Sequence, residues 1–137
     1  DFTKTMPKVL RPGGLNISLI NKIVKITYDD SNINEEKPES PGLFKKHYSP
    51  NASLRLNADY PLKDEAWLGF GEDPKNLNNF VKMNLSKNEN LEEAAKNLFS
   101  MLRCLDKKKV KKIAVRKIQN KGIGIAINDR LNRGAAN

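Results

Sequence analysis

The sequence predicts a small layered α/β domain with a partly parallel sheet, preceded by a short helix and an extended linker. Three observations carry that expectation. Residues 53–57 (SLRLN) alternate polar and apolar side chains, the period of a strand with one face covered. Leu91, Ala94, Ala95, Leu98, Phe99, Leu102 and Leu105 recur at the spacing of one helical face. Residues 112–118 (KIAVRKI) then read as a strand, and Gly122 and Gly124 break the chain before a final helix. Strand, long helix, strand, glycine turn and helix is the order of a right-handed crossover unit. Its layering is Rossmann-like, although the chain is too short for two full mononucleotide-binding halves.

Each element follows from its residues. Residues 1–14 read as the end of a preceding element, closed by Gly13 and Gly14. Residues 15–26 hold a short helix capped by Asn16, with Ile17, Ile20, Ile23 and Val24 on one face. Residues 27–52 form a linker whose first part, rich in Asp, Ser, Asn, Glu and Lys, is too polar to bury a core. The folded domain spans residues 53–137. Its second strand is EAWLGFG (65–71), anchored by Trp67 and Leu68 and weakened at its end by Gly69 and Gly71. Residues 59–64, with Pro61, make the turn between the first two strands. In residues 80–86, Val81, Met83 and Leu85 share one strand face. Asn90 followed by Glu93 makes a capping-box-like helix start, and the lysine run 107–109 places positive charge at the helix's negative end.

Composition limits the function classes. The chain has 137 residues, 38% of them hydrophobic, enough for one domain with a modest core. Twenty-five lysines and arginines against 16 acidic residues give a net charge of +9 and a pI near 9.7. Such a balance favours polyanionic neighbours, RNA among them, or reflects a general abundance of lysine. The single cysteine, Cys104, excludes an intrachain disulfide framework and fits a reducing, cytoplasmic setting. No apolar run is long enough to span a membrane, and the first residues lack the pattern of a secretory signal. A chain that opens in this way reads as part of something longer.

Catalytic chemistry is thinly represented. One histidine and one cysteine, far apart, do not make a nucleophile–base pair, so no catalytic residue is assigned. No spacing of His, Cys, Asp and Glu resembles a metal site. Glu92 and Glu93 suit a helix N-terminus, and Asp29, Asp30, Glu35 and Glu36 lie in the linker. Gly122-Ile123-Gly124 lacks the third glycine of a dinucleotide fingerprint and the Lys-Ser/Thr ending of a P-loop, so a tight turn explains it. Arg130 and Arg133 are expected on a solvated helix face or against a neighbouring domain.

The most informative stretch is SPGLFKKHYSP, residues 40–50. Its prolines fix the backbone and bias preceding residues toward extended conformations, predicting an ordered strap. That strap carries the only histidine, His47, beside Tyr48 and behind Lys45 and Lys46. The plainer alternative is a surface loop of chance composition. Lys45, Lys46 and Arg11 are each able to donate charge-assisted hydrogen bonds to a phosphate.

Together with LRPGG (10–14), NLEEAAKNLFSMLRCLD (90–106) and GIGIAINDRLNRGA (122–135), this strap resembles the two-domain threonylcarbamoyl-AMP synthases. In that family a YrdC-like catalytic domain is followed by a linker and a smaller Rossmann-like domain. The resemblance implies that residues 1–14 end a catalytic domain lying upstream, and that residues 53–137 are the C-terminal domain. It further implies an enzyme that joins threonine, bicarbonate and ATP into threonylcarbamoyl-AMP with release of pyrophosphate, for modification of certain transfer RNAs. The catalytic domain, ATP (with magnesium), threonine and bicarbonate are then the partners, and the chain alone is expected to be inactive and to hold no cofactor. By resemblance Arg11 meets the nucleotide pocket, and Lys45, His47 and Tyr48 belong to a linker that closes over it. Family members often carry SPGMKYRHYAP, so Lys45 stands where a tyrosine is usual and Phe44 where a lysine is usual. Lys45 then supplies a phosphate contact, or Phe44 takes over the stacking.

Overall fold

The computed structural model describes residues 1–3, 5–15, 17–27 and 50–136. Along the chain these form α1 (Ile17–Ile23), β1 (Ser53–Ala58), β2 (Ala66–Gly69), β3 (Lys82–Asn84), α2 (Leu91–Lys107), β4 (Lys112–Arg116) and α3 (Gly124–Ala135). The strands lie in the order β1-β4-β2-β3, and all three neighbouring pairs are parallel. The sequence suggested a parallel pair within a mixed sheet. β1 and β2 read as neighbours across a short turn, but β4 inserts between them, with Arg55 and Trp67 both aligned on Ala114.

Chain direction explains the two faces. The β1–β2 and β2–β3 connections advance one way across the sheet, and the β3–α2–β4 connection returns. Right-handed crossovers place advancing and returning connections on opposite faces. Leu68 and Val115 accordingly pack with Leu98, Leu102, Leu105, Ile127 and Leu131 of the helices. Trp67 and Ala114 point the other way and meet Leu77 and Phe80 from residues 70–81, a connection without a helix. Each leucine buried on the helical side contributes roughly 1.5–3 kcal/mol.

α2 starts as expected, with Asn90 Oδ1 accepting from the Glu92 and Glu93 amides at 2.9 and 3.0 Å. The reciprocal arm of the capping box is different. Ser86 Oγ accepts from the Asn90 amide at 3.0 Å and donates to Glu93 Oε2, so the hydroxyl stands between the two ends of the box. The glycines at the end of β2 also have a reason. Trp67 Nε1 donates to Asp73 Oδ1 at 2.8 Å, and Asn84 Nδ2 donates to the same oxygen at 2.9 Å. A Cβ on Gly69 would lie 2.3 Å from that oxygen, so the carboxylate reaches the buried indole only across a glycine.

α1 forms within residues 15–26, and of its expected apolar face Ile17 and Ile20 are half-buried while Ile23 and Val24 are exposed. Leu19 and Ile23 are exposed, as are Phe2, Met6 and Leu15 on the same N-terminal segment.

Candidate functional site

A cleft of about 560 Å³ opens between the N-terminal segment and the helical face of the domain. Three parts of the chain build it. α2 presents Lys96, Phe99, Ser100 and Arg103 on one side of the apolar stripe that faces the sheet. α3 contributes Arg130 and Arg133, one turn apart. Arg11 and Pro50 close the remaining wall.

Backbone pairing fixes the segment that carries Arg11. The Val9 amide donates to the Thr27 carbonyl and the Thr27 amide to the Pro7 carbonyl, both at 2.9 Å, so the chain on either side of α1 is tied together. Pro50, the last residue of the strap, is buried, and the next residues are held by one carboxylate. The Asn51 amide donates to both Asp106 oxygens, at 3.1 and 3.2 Å, and the Ala52 amide reaches Oδ1 at 3.4 Å. The strap thus enters β1 from a point fixed at the end of α2.

The electrostatics of the cleft centre on Arg130. Its side chain is 29% exposed, and its guanidinium carbon lies 5.5 Å from the centroid of the Phe99 ring. Asp129 lies behind it and is not among the residues lining the cleft. Its Oδ1 accepts from Arg133 Nε at 3.0 Å, while Oδ2, buried and without a hydrogen bond, sits 4.0 Å from Arg130. Burial pushes the Arg130 guanidinium below the ordinary arginine value. Arg11 pushes in the same direction, Asp129 opposes, and Arg133 adds a smaller lowering effect.

Of the residues singled out in the sequence, Arg11 lies on this cleft. Lys45, His47 and Tyr48 lie outside the described residues, as does Asn16. Arg130 and Arg133 are not on a solvated face but line the cleft, with Arg133 only 16% exposed. Lys96, Ser100 and Arg103 were not singled out. Their signal is present, because positions 96, 99, 100 and 103 follow helical spacing beside the leucine stripe. Gly122 and Gly124 have structural work: Gly122 adopts φ +52°, and a Cβ on Gly124 would meet the Gln119 carbonyl oxygen at 2.1 Å. Among the described residues no group of three or more His, Cys, Asp and Glu is placed to hold a metal ion, and no helix is long and apolar enough to cross a membrane.

A family model described as the threonylcarbamoyl-AMP synthase C-terminal domain matches residues 15–136. The chain belongs to this family. Curated threonylcarbamoyl-AMP synthases match it across nearly its full length. That of Pyrococcus abyssi is 28% identical over 98% of the chain, and that of Bacillus subtilis is 27% identical over 95%. The Schizosaccharomyces pombe protein is 25% identical over 95%. The chain spans only 44%, 42% and 39% of those proteins, so it corresponds to the C-terminal part of a larger synthase. Among solved structures, P. abyssi Sua5 complexed with L-threonine superposes with a TM-score of 0.72 at 24% identity, covering 99% of this chain and 44% of that one. A variant of the same protein, with a histidine and the following tyrosine replaced by alanine, superposes at 0.77 with 22% identity, covering 99% and 43%. Both share the fold of the threonylcarbamoyl-AMP synthase C-terminal domain seen here.

Proposed function

We propose that this chain is the lid and regulatory part of a threonylcarbamoyl-AMP synthase, the enzyme that converts threonine, bicarbonate and ATP to threonylcarbamoyl-AMP and pyrophosphate. In this reading the YrdC-like catalytic domain performs the chemistry with Mg²⁺-bound ATP in the cytoplasm. Residues 40–50 close over its nucleotide pocket, and residues 53–137 hold the strap in place. One observation supports the reading: Arg11, near the end of the first segment, and Pro50, the last residue of the strap, line one cleft. The two ends of the intervening chain therefore converge on one cleft, as a segment that closes over a neighbouring pocket requires. Exposed Phe2, Leu15, Leu19 and Ile23 supply an apolar surface for the catalytic domain to cover. This chain also has a histidine followed directly by a tyrosine, His47 and Tyr48, the residue types altered in the P. abyssi variant.

The chemistry calls for such a closure. A carbamoyl–adenylate is a mixed anhydride open to attack by water, and a stiff segment across the pocket excludes water while the intermediate waits for its acceptor. The test is kinetic. In the intact synthase, His47→Ala and Tyr48→Phe should raise the KM for ATP or the fraction of intermediate lost to hydrolysis, and the 137-residue chain alone should form no threonylcarbamoyl-AMP. Unchanged kinetics in both variants, or robust synthesis by the chain alone, would remove the lid assignment.

A further inference from the structure

The lid mechanism makes no use of the cations that α2 and α3 bring to the cleft. Lys96, Arg103, Arg130 and Arg133 converge there with Arg11, and the lining residues include no carboxylate. Asp129, behind the wall, is shared between Arg133 and Arg130 and offsets only part of that charge. Arg130 is partly withdrawn from water against Phe99 with Asp129 4.0 Å away, and a cation crowded by four others favours a further anion in the cleft. Guanidinium forks match the oxygens of phosphate in pairs, and five cations along one cleft offer donors to more than one phosphate group. The cleft's volume of about 560 Å³ is that of a small-ligand site. RNA binding tracks an extended basic face, and the exposed lysines 107–109 lie outside the lining.

We infer that this cleft binds a phosphoanhydride chain, gripped by Arg11, Lys96, Arg103, Arg130 and Arg133. The ligand is either free inorganic polyphosphate or the tail of a nucleoside triphosphate. The site shares Arg11 and its cleft with the lid reading and adds the cations of α2 and α3, which that reading does not use, so the two are separated by which variants and ligands respond.

Calorimetry on the 137-residue chain with pyrophosphate, tripolyphosphate, ATP and AMP tests it. Tripolyphosphate and ATP should bind, with AMP weaker by about tenfold or more, and affinity should fall as NaCl rises. Equal affinity for tripolyphosphate and ATP would assign the site to the phosphate chain alone. Tighter ATP binding would place the nucleoside in the cleft as well, and either result supports the inference. The exposed pair Lys96→Gln with Arg103→Gln should weaken tripolyphosphate about tenfold. Arg130→Lys, which keeps the charge and loses the fork, should weaken it at unchanged Tm. Changing Lys107, Lys108 and Lys109 to Gln removes three charges outside the cleft and should alter affinity by no more than about twofold. Absence of tripolyphosphate binding, equal affinity for AMP and ATP, or an equal loss in the lysine control would each overturn it. So would transfer RNA binding that the lysine control abolishes and tripolyphosphate does not compete for. If His47 and Tyr48 variants prove kinetically silent while tripolyphosphate still binds, the lid reading fails and this site survives.

Discussion

Asp73 accepts a 2.8 Å hydrogen bond from the indole N–H of Trp67, whose ring is completely buried between β4 and residues 77–80. The carboxylate reaches it over Gly69 and also accepts from Asn84, so one oxygen serves both strands at the far edge of the sheet. Asp73→Ala leaves a buried donor unpaired and should cost about 1–3 kcal/mol. Trp67 is the only tryptophan, so its fluorescence in urea titrations reports the loss directly. A midpoint equal to wild type would show that the bond contributes nothing to stability.

Arg55 and Glu65 make a second polar anchor, between β1 and the start of β2. Arg55 Nε and one terminal nitrogen donate to the two Glu65 oxygens at 2.8 and 2.6 Å, and the Leu62 amide donates at 2.7 Å. The guanidinium bond holds the Glu65 carboxyl below its ordinary value of 4.5, with burial opposing and the Leu62 amide assisting. Because the folded value is depressed, this stabilisation is complete above the ordinary glutamate value. It is lost as the pH falls from there through the folded value. Glu65→Gln should therefore cost about 1–2 kcal/mol near neutrality, discounted for the exposure of Arg55. The gap to wild type should narrow on acidification; a gap that widened would contradict the linkage.

The two glycines before α3 should behave differently. Gly124→Ala forces a methyl group against the Gln119 carbonyl and should destabilise by roughly 1–3 kcal/mol. At Gly122 a Cβ meets nothing within 4 Å, so Gly122→Ala should cost only the left-handed backbone penalty, about 1 kcal/mol. Thermal melts of both variants check the order, and a more severe Gly122→Ala would reverse the account of this turn.

Much of the fold is legible because its elements are locally consistent. The leucine stripe of α2, the Asn90 cap and the alternation in β1 all lie where periodicity and capping chemistry put them. Topology is less legible. Nothing local in SLRLN or EAWLGFG says that β4 will insert between them, because strand order is decided by helices packing on one face. The short β2–β3 connection hides its role for a similar reason, since Leu77 and Phe80 become core only once Trp67 turns toward them. At the site, Arg11 was named by resemblance, whereas Arg130 and Arg133 were expected on a solvated helix face or against a neighbouring domain. Their sharing of one cleft with Arg11 is a long-range juxtaposition that spacing within α3 cannot reveal.

The proposed lid requires residues 40–50 to meet bound nucleotide in the intact synthase. Photolabelling the full-length protein with 8-azido-ATP, followed by peptide mapping, measures that contact most directly. Adducts are expected within residues 40–50, lost when excess ATP competes. ATP-protected labelling confined to the catalytic domain, with the strap unmodified, would contradict it.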